Sequence, residues 1–149
     1  MKQKQNIIGP EIKIDPKLKI LVVDDSQETV DLIKFFLYKN GLENVVSCAD
    51  AESGWILLNR SFSEGNTFEL LLVDWNMPGI TGVELLKRVR ASEKYKDIIF
   101  LMVTADGNTD SVKEAIEAGV NGYVLKPLTA KGLIEKIDTA LKRKKNKSK

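Results

Sequence analysis

The stretch Leu70-Leu-Leu-Val-Asp74 sets the tightest limit on what this chain can fold into. Four apolar residues follow one another without alternation, and a turn containing Met77 and Pro78 comes next. A strand with one face in water alternates apolar and polar residues, so an unbroken run reads as a strand covered on both faces. Cover on both faces calls for helices on each side of a sheet. An aspartate at the carboxyl end of such a strand stands where open α/β sheets place their ligands. Taken by itself, capping a loop or helix is the simpler role for Asp74.

The rest of the chain supplies the helices and further strands. Residues 19–23 form another apolar run ending at Asp24-Asp25, with Ser26 placed to cap a helix. Val30, Ile33 and Leu37, supported by Phe36, stripe that helix, which stops at Asn40-Gly41. Residues 44–48 read as a short second strand, and Asp50 caps a helix with Ala51, Trp55 and Leu58 on one side, weakened by Gly54. The segment 59–67 is polar with a glycine and predicts a loop. After Asp74, a turn through Gly79 and Gly82 enters a helix with Leu85, Leu86 and Val89 inward and Lys87, Arg88 and Arg90 outward. Residues 98–103 are a fourth strand, running into Thr104-Ala105-Asp106-Gly107, and Val112, Ala115, Ile116 and Gly119 line one side of the next helix. A fifth strand, Gly122-Tyr-Val-Leu125, leads to Lys126-Pro127 and a last helix striped by Leu133, Ile137 and Leu141. Five alternations of strand and helix predict a single α/β domain, a five-stranded parallel sheet with helices on both faces.

Composition excludes more than it suggests. The 149 residues suit one domain, and no apolar run nears the ~20 residues of a membrane span. The first eight residues lack a signal peptide's apolar stretch, so a cytoplasmic location is expected. The single cysteine, Cys48, excludes an internal disulfide and reads as a small buried hydrophobe. No histidine is present, which removes the commonest general base and any phosphohistidine carried by the chain itself. Residues 20–141 hold 12 basic and 19 acidic side chains, whereas 142–149 hold six basic and none acidic. An acidic body repels phosphate backbones and leaves nucleic-acid binding to the tail alone. The tail itself fits the negative end of a helix dipole as readily as a functional patch.

Chemistry gathers at the carboxyl ends of the strands. Asp24 and Asp25 end the first, Asp74 the third, Thr104 the fourth and Lys126 the fifth. A parallel sheet brings these ends to one edge. Three carboxylates there need a cation or raised pKa values, and an all-oxygen donor set with room for water suits Mg²⁺. Such a site can receive a phosphoryl group, with a carboxylate as nucleophile and Mg²⁺, Lys126 and the Thr104 hydroxyl neutralising the oxygens. Each residue alone has a plain structural role, such as a salt bridge between Lys126 and Asp74; their clustering is what argues for a site.

On Asp24-Asp25, the run Asp74-x-x-Met77-Pro78-x-x-x-Gly82, Thr104-Ala105 and Lys126-Pro127, the chain resembles the receiver domains of two-component response regulators. Asp74-Trp-Asn-Met-Pro78, Leu101-Met-Val-Thr-Ala105 and Gly122-Tyr-Val-x-Lys-Pro127 are similar to the single-domain chemotaxis regulators of the CheY type. The resemblance covers residues 19–141, between an irregular arm at 1–18 and the basic tail at 142–149. It implies the flavodoxin-like strand order 2-1-3-4-5, known for CheY itself. It also implies roles. Asp74 would be the phosphoacceptor; Asp24, Asp25, Asp74 and the backbone carbonyl of Asn76 would hold Mg²⁺; Lys126 would pair with the phosphoryl group across a cis bond to Pro127. Thr104 and Tyr123 would form the switch, although Tyr123 taken alone suits plain strand packing equally. Asn76 and Asp106 would tune hydrolysis, Asp106 replacing the glutamate of chemotaxis regulators. The implied partners are a sensor histidine kinase, a flagellar motor switch protein and a phosphatase, with no direct nucleic acid and no membrane insertion. A monomer is expected, with no chemistry beyond its own phosphorylation and dephosphorylation.

Other readings fit less well. A phosphatase of the haloacid-dehalogenase type needs a second carboxylate two residues after its nucleophile, where this chain has Asn76. A flavodoxin-like electron carrier would put hydroxyls, and not Asp24-Asp25, after its first strand. Within the receiver class a phosphorelay intermediate stays open beside a motor regulator. No output domain follows residue 141, so neither is expected to drive transcription by itself.

Overall fold

The computed structural model describes residues 13–77, 79–105 and 107–147. Strands and helices alternate: β1 (Ile20–Val23), α1 (Gln27–Lys39), β2 (Val45–Cys48), α2 (Ala51–Ser63), β3 (Leu70–Asp74), α3 (Gly82–Ala91), β4 (Ile99–Thr104), α4 (Thr109–Ala118), β5 (Gly122–Leu125) and α5 (Ala130–Lys147). The sheet is parallel throughout, in the order β2-β1-β3-β4-β5.

The unbroken apolar runs have the two-sided burial they predicted. Ile20, Val22, Leu70, Leu72, Ile99 and Leu101 turn to one face, where Ile33 and Leu37 of α1 and Leu133 and Ile137 of α5 cover them. Leu21, Val23, Leu71, Val73, Phe100 and Met102 turn to the other, under Leu58 of α2, Leu85 and Val89 of α3 and Ala115 of α4. Successive strand residues point to opposite faces, so each residue of the run has its own layer. Gly54 earns its place in α2 by proximity. A Cβ there would lie 3.1 Å from Val23 Cγ2, so its absence lets α2 settle on β1.

Helix ends follow the expected chemistry. Ser26 Oγ accepts the Thr29 N–H, Asp50 Oδ1 accepts the Ser53 N–H, and Thr81 with Glu84 forms a capping box on α3. The described part of the arm turns at Asp15, where Leu18 N–H meets the Asp15 carbonyl at 3.0 Å, and buries Leu18. At the other end α5 runs through the basic stretch to Lys147, since lysine and arginine are good helix formers and suit the negative end of its dipole.

Three local expectations are corrected. The 59–67 segment is helical as far as Ser63, and the loop is confined to 64–69. Its polar residues have internal partners: Asn59 Oδ1 accepts the Tyr95 hydroxyl at 2.6 Å, and buried Ser61 accepts from Lys19 Nζ at 3.3 Å. Arg90 is not outward. Its guanidinium donates to the carbonyls of Gly119, Lys96 and Ile98 and to Asn121 Oδ1, at 2.7–2.8 Å. Ile116 does not line the inner side of α4 but is 62% exposed; Ala115 and Ala118 pack inward, allowing α4 to lie close to its neighbours.

Candidate functional site

In an open sheet of this order the connections from β1 and β3 leave in opposite directions, and a crevice opens at their carboxyl ends. Asp24, Asp25 and Asp74 sit at that crevice. One carboxylate oxygen from each lies within 4.8 Å of the others, with Asp24 and Asp74 buried and Asp25 exposed. Asp74 is the last residue of β3, 7% exposed, and its Oδ1 accepts the Asn76 backbone N–H at 3.4 Å. Asp24 follows β1 and is held on both oxygens: Oδ1 accepts the Ser26 N–H at 2.9 Å, and Oδ2 accepts from Lys126 Nζ at 3.2 Å.

Lys126 enters from the end of β5, where its N–H donates to the Thr104 carbonyl at 2.8 Å and its peptide bond to Pro127 is cis. Its ammonium lies 3.8 Å from Asp74 Oδ1, so it bridges Asp24 and Asp74, with Asp24 the nearer. Thr104 closes β4, beside β3, and is fully buried. Asp24, Asp25, Asp74, Thr104 and Lys126 thus come from four strand ends to one edge. Asn76 is exposed in the turn after Asp74. Tyr123 lies on β5 opposite Met102, half-buried, with Lys136 Nζ 5.3 Å from its ring centre. Asp106 lies outside the described residues, as does Pro78 of the turn.

The electrostatics are unresolved by the protein alone. Burial, and then the neighbouring Asp24 carboxylate, push the Asp74 carboxyl up from 3.8 to about 6; Lys126 and the Asn76 N–H pull the other way without cancelling the rise. A divalent cation would remove the conflict. Three carboxylates within one ion's reach, all oxygen donors, fit a hard ion of the Mg²⁺ kind. The Cys48 thiol, by contrast, is pushed up to about 11 by burial, which disfavours the thiolate.

Two contributors carry no charge and leave little mark in the sequence. Ser26 reads as a helix cap, yet its N–H also fixes Asp24; the spacing of two residues is the usual signature of an aspartate turn. Gly82 reads as only one letter of a motif. A Cβ on it would lie 2.7 Å from the Asp74 carbonyl oxygen and 3.1 Å from Trp75 Cα, so α3 begins against the backbone of the acidic strand end. That approach buries Trp75, 4% exposed, directly beside Asp74.

Comparison with known proteins agrees with this geometry. The family model for the response regulator receiver domain matches residues 20–138. The chemotaxis protein CheY of Pseudomonas aeruginosa is 47% identical over 126 residues, covering 85% of this chain and 98% of the relative. Among solved structures, the chemotaxis response regulator CheY4 of Vibrio cholerae superposes with a TM-score of 0.71 at 28% identity, covering 82% of this chain and 97% of that one. A CheY-like receiver domain protein from Methanospirillum hungatei gives 0.74 at 29% identity, covering 87% and 97%.

Proposed function

The chain belongs to the response regulator receiver family, whose members are signalling proteins, and from that premise we propose that it is a chemotaxis regulator of the CheY type. It takes a phosphoryl group onto Asp74 from a sensor histidine kinase and answers with a conformational switch directed at the flagellar motor. The observation that carries the reading is the buried Asp74 carboxylate at the sheet's switch point, beside Asp24 and the Lys126 ammonium that bridges the two.

An Asp74 oxygen attacks the phosphorus. The new O–P bond forms as the N–P bond to the donor imidazole breaks, and the nitrogen keeps the bonding pair. Asp24, Asp25 and Asp74, with the Asn76 carbonyl, would hold Mg²⁺, whose charge offsets that of the phosphoryl oxygens when bound. Lys126 turns its ammonium to the same oxygens, and Thr104 offers its hydroxyl from the end of β4. Tyr123 follows Thr104 inward, changing the face formed by α4, β5 and α5. That face already exposes Ile116 and Leu125, at 62% and 47%, as an apolar partner would require. Asn76 and Asp106 would tune hydrolysis, and a phosphatase would act at the same phosphoryl group. A cytoplasmic, monomeric protein fits these roles.

Acetyl phosphate with Mg²⁺ tests the reading. The wild type should gain one phosphoryl per chain by mass and change its Trp75 fluorescence, and a Trp55→Phe background should keep that change. Asp74→Asn should lose both responses while retaining its circular dichroism. Uptake of a phosphoryl by Asp74→Asn sinks the assignment. Phosphorylation that leaves affinity for a motor switch peptide unchanged would transfer the reading to a phosphorelay intermediate.

A further inference from the structure

We propose that the amino-terminal edge of the sheet opens a basic groove that binds an acidic, extended segment of a partner protein. A cleft of about 550 Å³ lies there, between the α3–β4 turn and the far end of α5. Four of its lining residues are cationic, Arg90, Lys96, Arg143 and Lys144, against the single carboxylate of Asp97. Arg90 is already immobilised by its four hydrogen bonds, so part of the positive field is fixed before any ligand arrives.

The cleft does not stop at the edge. It shares Asn121 and Arg143 with a second cleft of about 260 Å³, which contains Glu135 and Lys136. That one shares Gly132 and Lys136 with a third, walled by Tyr123. A track that is cationic at the α5 end, and carries Lys136 farther on, therefore runs along β5 to the tyrosine. Only its direction, toward the proposed output face, rests on the function proposed above.

The chemistry selects a peptide. Asp97 and Glu135 would repel a phosphate cluster, which has no donors to offer them, whereas peptide N–H groups can satisfy both carboxylates. A broad polyanion would be held by residues 142–149 alone, because residues 20–141 carry 12 basic against 19 acidic side chains and would repel the rest of a bilayer or a duplex. A chain with a few carboxylates spaced along it matches the cations at the edge and Lys136 farther on.

A fluorescein-labelled peptide of alternating glutamate and glycine is the probe, read by anisotropy with the full chain. It should bind in low salt and weaken as salt rises, and its glutamine counterpart should not bind. The Arg143→Gln/Lys144→Gln double variant, altered only on the exposed turns of α5, should bind about tenfold more weakly. Absence of peptide binding overturns the proposal, as does equal affinity in the double variant. Displacement of the peptide by tripolyphosphate at lower concentration than by unlabelled peptide would make this a small-anion site. Displacement by phosphatidylglycerol vesicles would make it a membrane contact. The acetyl phosphate response of Trp75 is measured on the same samples. It should persist in the double variant, and its absence from the wild type would count against the phosphoacceptor alone.

Discussion

At the amino-terminal edge of the sheet, Lys19 Nζ donates to the Asn66 carbonyl at 2.6 Å and to Ser61 Oγ, and lies 4.5 Å from the centre of the Phe68 ring. Arg90 likewise meets four acceptors, and the Tyr95 hydroxyl meets Asn59. At the carboxyl-terminal edge, on the same strands, three carboxylates gather, two of them share one ammonium, and the Asp74 carboxyl is pushed up to about 6. Both edges hold polar groups out of water. One surrounds each with complementary partners, as stability requires; the other leaves like charges facing each other. Residual conflict of that kind is where a cation gains most by binding, which is why the proposed phosphoryl chemistry belongs to the unsatisfied edge.

If that contrast is right, removing a satisfied group should damage the fold and spare the chemistry. Arg90→Ala takes the donor from three backbone carbonyls and Asn121, and should destabilise the protein by about 2–4 kcal/mol in urea titrations. Arg90→Lys should recover little, because a point ammonium cannot reproduce a planar fork. Phosphoryl uptake by the folded fraction should be unchanged. A loss below about 0.5 kcal/mol, the range of ordinary surface substitutions, would erase the distinction between the edges.

The opposite edge should respond with the opposite sign. The folded state holds the Asp74 proton more tightly than the unfolded chain, with a pKa of about 6 against 3.8. Well below pH 4 both states are protonated; between pH 4 and 6 the unfolded chain has released this proton while the native state keeps it, so metal-free stability falls as pH rises. The decline attributable to this group is on the order of 1–3 kcal/mol, complete above pH 6. Asp74→Asn should lack it and be the more stable protein at pH 7. Mg²⁺ should stabilise the wild type at pH 7 and the variant far less. Subtracting the two pH profiles removes groups common to both, including Asp50, whose pKa the Ser53 N–H lowers. Equal slopes in both proteins between pH 4 and 6 would show that Asp74 is not under electrostatic strain.

The charged edge was legible in the sequence because its residues stand at strand ends, and strand ends are marked by the close of an apolar run. Leu70-Leu-Leu-Val announces Asp74, and 19–23 announces Asp24-Asp25. The satisfied edge left no such mark. Arg90 follows an apolar stripe on α3 and reads as solvent-facing, yet its long side chain folds back to carbonyls on Gly119 and Ile98 that only the tertiary fold brings near. Asn59 and Ser61 read as loop residues because their polarity is visible in sequence and their partners, Tyr95 and Lys19, are 36 and 42 residues away. Ile116 failed for the reverse reason. Periodicity marks apolar residues but cannot tell an inner face from an outer one left bare, and the packing of α4 uses alanines instead.

Tyr95 offers the finest test of the contrast, since one oxygen atom is all that changes. Its ring is 1% exposed and meets Trp55 and Phe62 edge-on, at 5.7 and 5.5 Å between centres. Tyr95→Phe keeps both ring contacts and removes only the donor to Asn59 Oδ1. Leaving that acceptor unpaired should destabilise the protein by about 1 kcal/mol, seen as a lower urea midpoint with an unchanged slope. A second change, Asn59→Leu, should restore part of the loss in the Tyr95→Phe background, because an apolar pair in that place leaves no polar atom without a partner. An unshifted midpoint in Tyr95→Phe would mean that water replaces the hydroxyl freely. The amino-terminal edge would then be tolerant of unsatisfied groups too, and satisfaction alone would not separate structure from function here.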